Sequence, residues 1–275
     1  MMGPLVSTEW LAGELGAPDL IVLDASFYLP AENRDAEAEF ARAHIPGARR
    51  FDIEAMSDPD TDLPHMVPSA GRFERLVSAL GVSNGSRVVF YDGKGVATAP
   101  RGWWMMGLFG HDAAYVLDGG LPKWLAERRP TEAGAPAPAG PGRFTASLRA
   151  SRLRGIGDML EGRDLVLDAR APGRFNGTVP EPRAHLPSGH IPGARNLPFT
   201  TLVRPDGTLL DPPALREKFA AVGVDGSRPV ATSCGSGVTA AVLTLGLVQA
   251  GFGHNALYDG SWTEWASRPD TTKET

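Results

Sequence analysis

The chain carries one cysteine, Cys234, in the stretch ATSCGSGVTAA at 231–241. It follows the short apolar run RPVATS (228–233) and precedes VTAAVLTLGLVQAG (238–251), which has the length and composition of a helix ending near Gly251. A residue between a strand end and a helix start stands where open parallel sheets bind ligands, beyond the carboxyl ends of the strands. Gly235 and Gly237 let the backbone curl so that successive N–H groups converge on one point. Such a nest, backed by a helix N-terminus, stabilises negative charge. It therefore favours a nucleophilic thiolate. The alternative is an inert cysteine that only fills the core. The order strand–Cys–Gly–x–Gly–helix points away from it and toward a reactive sulfur.

The surrounding residues narrow the chemistry. Cysteine phosphatases use a related loop with an arginine six positions after the cysteine; here that position is Ala240. With no second cysteine there is no intramolecular disulfide, dithiol redox cycle or cysteine-rich zinc site. A cysteine hydrolase, with a His and an Asn or Asp orienting the thiol, stays open from the residues alone. The most natural remaining chemistry is a thiolate that accepts a group and passes it to an outside acceptor.

The net charge of −5 argues against nucleic acid or anionic membrane as partner. No apolar run approaches the length of a bilayer span, and the start lacks the basic and apolar regions of a signal peptide. The expectation is a cytoplasmic protein. The six histidines show no metal-ligand spacing, and the short VPEPR stretch at 179–183 does not suggest a calcium loop, so neither metal nor cofactor is expected.

The elements that must hold the cysteine come in two copies. LIVLDAS (20–26) returns as LVLDARA (165–171), and HIPGAR (44–49) returns letter for letter at 190–195. VVFYDGKGV (88–96) faces VATSCGSGV (230–238), and LDGGLPKW (117–124) matches YDGSWTEW (258–265) in outline. The echoes keep their order and spacing, which marks a duplicated domain. Between the copies TEAGAPAPAGPG (131–142) has no apolar periodicity and reads as an extended linker. The expected division is 1–130, a linker over 131–149, and 150–275. Short aliphatic runs alternate with the helical stretches TEWLAGEL, AEFARA and ALREKFAAVG, so each copy is expected to be α/β, a mainly parallel sheet flanked by helices.

The copies also test each other. Their alignment puts Asp92 opposite Cys234; a carboxylate cannot do the work of a nucleophilic thiolate, so the first copy is expected to be catalytically inactive. Features shared by both, His44 and His190 or Asp24 and Asp168, are read as serving the fold. Trp103, Trp104, Met105 and Met106 form an apolar cluster on an expected helix and read as packing.

CGSGVT, the paired HIPGAR segments and YDGSWTEW together resemble the two-domain rhodanese family over essentially the whole chain. Within it the loop is similar to that of the 3-mercaptopyruvate sulfurtransferases. Thiosulfate-preferring rhodaneses typically carry CRKGVT, with Arg and Lys where Gly235 and Ser236 stand here. GRFNGTVPEPR (173–183) resembles the mercaptopyruvate enzymes' substrate segment and implies Arg174 and Arg183 as ligands of the donor. Two guanidinium forks suit a 2-oxo acid. The same resemblance implies a relay of the loop serine, Ser236, with His65 and an acidic residue that falls on Glu54, where the family usually has Asp, and a site at the domain interface.

The resemblance thus implies a sulfurtransferase that moves sulfur from 3-mercaptopyruvate through a Cys234 persulfide. The loop amides around Gly235, Ser236, Gly237, Val238 and Thr239 would cradle the anion. A thiol acceptor such as thioredoxin or a small thiol, or cyanide in an assay, would take the sulfur. Two alternatives stay open: a thiosulfate:cyanide sulfurtransferase, and a non-enzymatic persulfide carrier.

Overall fold

A computed structural model of the chain describes residues 3–135 and 140–275. Its residues divide into two units: Met1–Ser57, Val67–Arg149 and Pro205–Leu209 form the first, and Asp58–Met66, Ala150–Arg204 and Leu210–Thr275 the second.

In the first unit the strands are β1 (Leu5–Val6), β2 (Leu20–Asp24), β3 (Arg49–Arg50), β4 (Arg87–Tyr91) and β5 (Ala114–Leu117). They pair in parallel in the order β1-β5-β4-β2-β3. The second unit holds β6 (Leu153–Arg154), β7 (Leu165–Asp168), β8 (Arg195–Asn196), β9 (Val230–Ser233) and β10 (Asn255–Tyr258). Its order, β6-β10-β9-β7-β8, is the same topology repeated. Short runs such as LIVLD and VATS read as strands because their aliphatic residues fill both faces of a covered sheet.

Helices cover each sheet. The first unit has α1 (Thr8–Glu14), α2 (Ala36–Arg42), α3 (Ile53–Met56), α4 (Ala70–Ala79), α5 (Ala99–Leu108) and α6 (Gly120–Ala126). The second has α7 (Ile156–Glu161), α8 (Pro172–Phe175), α9 (Pro212–Ala221), α10 (Ala240–Gln249) and α11 (Ser261–Ser267). Starts follow local chemistry: Ser7, Asp35, Asp52, Ser69 and Asp211 each cap a helix by accepting backbone N–H bonds. The helix after each central strand, α5 or α10, is apolar around most of its circumference and buried along most of its length. The tryptophan and methionine cluster at 103–106 lies in α5 and is part of this core.

Each HIPGAR histidine packs in the same way. His44 stacks on Phe40 with centroids 4.0 Å apart, and its Nδ1 meets the Phe40 carbonyl at 2.8 Å. His190 stacks on Phe175 at 3.8 Å and meets the Phe175 carbonyl at 2.9 Å. This stack aligns the copies independently of the sheets.

Of the 131–149 segment, residues 136–139 lie outside the described residues. The described parts are held on the first unit. Glu132 exchanges backbone bonds with His44, Gly142 N–H donates to the Ser78 carbonyl, and Ser147 N–H to that of Phe109. Phe144 is buried against Phe73.

Candidate active site

β9 ends at Ser233, so Cys234 is the first residue beyond the carboxyl end of a central strand, and α10 starts six residues later at Ala240. Gly237 takes φ +78°, the left-handed turn that brings the chain from strand to helix and that a side chain would strain. The Cys234 side is tied to α11: its carbonyl accepts the Trp262 N–H at 3.0 Å, and its amide donates to Ser261 Oγ at 3.2 Å. The Gly235 carbonyl accepts Thr263 N–H at 3.0 Å and the Thr263 hydroxyl at 2.7 Å. These bonds fix the thiol-bearing backbone, and Cys234 is buried at 2% exposure.

What the loop can hold is displayed by the other copy. Asp92, directly after β4, is fully buried. Its Oδ2 accepts the backbone N–H groups of Ala97, Thr98 and Ala99 at 2.9, 2.8 and 2.8 Å, and its Oδ1 that of Lys94 at 2.8 Å. The first-unit nest is therefore filled by its own carboxylate. By the same alignment these donors correspond to the amides of Ser236, Thr239, Ala240 and Ala241, the last of which donates to the Val238 carbonyl at 3.2 Å. In the second unit the residue at the mouth is a sulfur, and among the described residues the loop amides of Ser236, Val238 and Thr239 donate to no acceptor within that unit.

Ser236 and His65 meet. Ser236 Oγ lies 2.8 Å from His65 Nδ1, and both are buried. Although His65 belongs to the first half of the sequence, it sits on the 58–66 segment of the second unit. Its backbone φ is +60°, uncommon for a residue with a side chain, and of the kind that clusters at functional sites. The segment closes on itself through Asp58 N–H to the Met66 carbonyl at 2.9 Å. Glu54 stands on α3 of the first unit.

Arg174 lies on α8, the residue before the Phe175 stack, and its guanidinium faces the loop. A Cβ added to Gly235 would lie 3.0 Å from its Nη2, so the glycine makes the room the guanidinium occupies. Its fork is paired with Glu181: Nε to Oε1 at 3.0 Å and Nη2 to Oε2 at 2.5 Å. In the first unit the residue before Phe40 is Glu39, paired with Arg34. The first copy thus has the opposite charge at this position. Arg183 is half-buried two residues after Glu181.

Behind Arg174 lies a network that sequence reasoning missed. Arg170 is buried, with Nη1 on Glu181 Oε1 at 2.8 Å, Nη2 on Asp168 Oδ2 at 2.6 Å and Nη2 on the Gly189 carbonyl at 2.7 Å. Burial works against its charge, yet the bonds and attraction of Asp168 and Glu181 hold its pKa above the ordinary arginine value. Its guanidinium stands 4.6 Å from the Trp262 ring centroid. The repeat carried a signal for Arg170, since the first copy has Ser26 at that position, but none for the pairing.

A buried cysteine at a strand end, a loop after it that matches the first copy's amide nest in sequence position, and a duplicated five-stranded topology describe one architecture. The profile described as "Rhodanese-like domain" matches residues 7–127 and 156–268. The chain belongs to the rhodanese-like domain family. Among curated relatives of this rhodanese chain, 3-mercaptopyruvate sulfurtransferase of Rattus norvegicus is 44% identical, covering 96% of this chain and 92% of that one. Thiosulfate sulfurtransferase of Bos taurus is 42% identical, over 97% and 94%. Among solved structures, SseA of Escherichia coli, a 3-mercaptopyruvate sulfotransferase with the rhodanese fold, superposes with a TM-score of 0.86 at 37% identity, covering 95% of this chain and 99% of that one. The duplicated α/β domain expected from the internal repeat, and the tandem rhodanese architecture implied by the motif resemblance, are the observed ones. Among the described residues no cluster of His, Cys, Asp or Glu could hold a metal ion, and no helix is long and apolar enough to cross a membrane.

Proposed function

We propose that the protein is a sulfurtransferase that takes sulfur from 3-mercaptopyruvate on Cys234 and delivers it to a thiol. The observation that carries this reading is the amide nest. In the first copy its partner is the Asp92 carboxylate, whose oxygens lie two bonds from Cβ. The outer sulfur of a Cys234 persulfide also lies two bonds from Cβ, so the second copy's nest fits a persulfide anion.

The Cys234 thiolate attacks the donor's sulfur. The new S–S bond forms as the C–S bond breaks, and the bonding pair stays on carbon as the enolate of pyruvate. The proton of the donor thiol moves to that carbon, leaving pyruvate and the Cys234 persulfide anion. Arg174 and Arg183 hold the donor's carboxylate and carbonyl and stabilise the enolate charge. Ser236, bonded to His65, stands beside the cysteine as the proton carrier. Glu54 completes the relay on the family resemblance alone. The persulfide then gives its outer sulfur to an acceptor thiolate such as thioredoxin or a small thiol, restoring Cys234. We place this activity in the cytoplasm.

The second reading, thiosulfate as donor, is favoured by the bovine relative's name. Against it, Gly235 and Ser236 leave the loop without cations for a dianion. Steady-state transfer to one thiol, with 3-mercaptopyruvate and thiosulfate side by side, decides between them. A preference for thiosulfate overturns the donor assignment. Silence with both, together with persulfide loading only from a partner protein, supports the carrier reading.

A further inference from the structure

The network behind Arg174 closes a ring around the cysteine. Trp262 donates to the Cys234 carbonyl, Arg170 lies on the Trp262 ring, Glu181 joins Arg170 to Arg174, and Arg174 lies against Gly235. The ring holds two carboxylates, Asp168 and Glu181, and two guanidiniums, Arg170 and Arg174, so its charges cancel. Asp168 alone can balance Arg170, with which it shares three side-chain bonds. Glu181, 2% exposed at its side chain, is then what balances Arg174, whose side chain is 20% exposed.

We infer that Glu181 is a positioning and selectivity residue: it aims the Arg174 fork past Gly235 and cancels its charge, so that the site favours a monoanionic donor over a dianionic one. This rests on the proposed sulfur-transfer reading for its biological meaning, but not for its physics. Two of the Arg174 nitrogens, Nε and Nη2, are engaged by Glu181, which leaves Nη1 as the nitrogen without a carboxylate. A fork partly engaged by Glu181, its own charge cancelled, recognises a carboxylate through the direction of its remaining N–H groups and not through field strength. A dianion gains twice as much from any uncancelled positive charge as a monoanion does. Glu181 removes that advantage.

Glu181→Gln keeps the shape and one acceptor oxygen but exposes the charge of Arg174. Glu181→Asp keeps the charge and shortens the reach. The readout is alkylation of Cys234 by iodoacetate, an anion, against iodoacetamide, its neutral analogue, which needs no turnover. The Gln variant should raise the iodoacetate-to-iodoacetamide rate ratio roughly fivefold to tenfold, for one added charge several ångströms from the sulfur across a partly wet site. The Asp variant should leave the ratio at the wild-type value while lowering kcat with 3-mercaptopyruvate, because its fork is misplaced. In turnover, the Gln variant should lower the KM for thiosulfate and shift donor preference toward it. A merely structural role predicts equal losses with both reagents and both donors. A ratio unchanged within about twofold in folded Gln variant overturns the inference. If the wild type uses neither donor, the proposed function fails while the alkylation ratio still tests Glu181.

Discussion

Replacing Asp92 by alanine separates the two copies' roles. The carboxylate is fully buried and accepts four backbone N–H groups, three of them on one oxygen. A hydrogen bond to a charged acceptor contributes about 1.5–3 kcal/mol net, and a buried donor left without a partner costs about 1–3 kcal/mol. The four bonds share one carboxylate and are not additive, and water can enter the space the side chain vacates, so we expect a loss of about 4 kcal/mol. For a unit of this size that lowers Tm by roughly 10–15 °C. Cys234, on the other unit, keeps its own loop bonds, so turnover per folded molecule at 25 °C should stay near the wild-type value. Differential scanning calorimetry and steady-state transfer on the same preparation measure both. A Tm within about 2 °C of wild type would refute the claim that the carboxylate fills the nest. Loss of turnover without loss of Tm would show instead that Asp92 takes part in the chemistry.

Cys234→Ser should abolish transfer and leave the melting profile in place; persisting turnover would end its role as nucleophile. Arg183→Ala should lower kcat/KM with 3-mercaptopyruvate by about tenfold to a hundredfold, the worth of one charge-assisted bond. With thiosulfate it should change much less, and an equal loss with both donors would remove Arg183 from donor recognition. Gly235→Ala puts a methyl 3.0 Å from Arg174 Nη2, the far end of a flexible side chain. The protein should fold normally while kcat/KM for 3-mercaptopyruvate drops by about tenfold through a displaced guanidinium, and unchanged kinetics would show that Arg174 does not face the donor.

Much of this was legible in the sequence because it is local. The strands announce themselves as short aliphatic runs, and α10 by its apolar length. The repeat places Asp92 opposite Cys234 before any coordinates are known. Cys234, between a strand and a glycine turn, needs no tertiary information to be singled out. The pairing of Glu181 with two arginines was hidden, because which charges meet is decided by where α8 and the turn after it fold back. Arg170 carried no visible role for the same reason. The membership of His65 was hidden too: its segment, SDPDTDLPH, has no periodicity that says which sheet it will join. Family resemblance named the residue; only the fold shows that Ser236 and His65 share a unit.

That exchange of segments bears on how the molecule is made. The chain passes from one unit to the other at five points, not one. The first unit ends its main body at Arg149 but receives its last segment only at Pro205–Leu209. At a synthesis rate of about 5–20 residues per second, that segment leaves the ribosome several seconds after the rest. Meanwhile the strip bearing His65 has been made early and waits for the sheet that will receive it. Neither half, expressed alone by cutting in the alanine–proline stretch, contains all of its own unit, so the gene's duplication no longer marks where the protein can be divided.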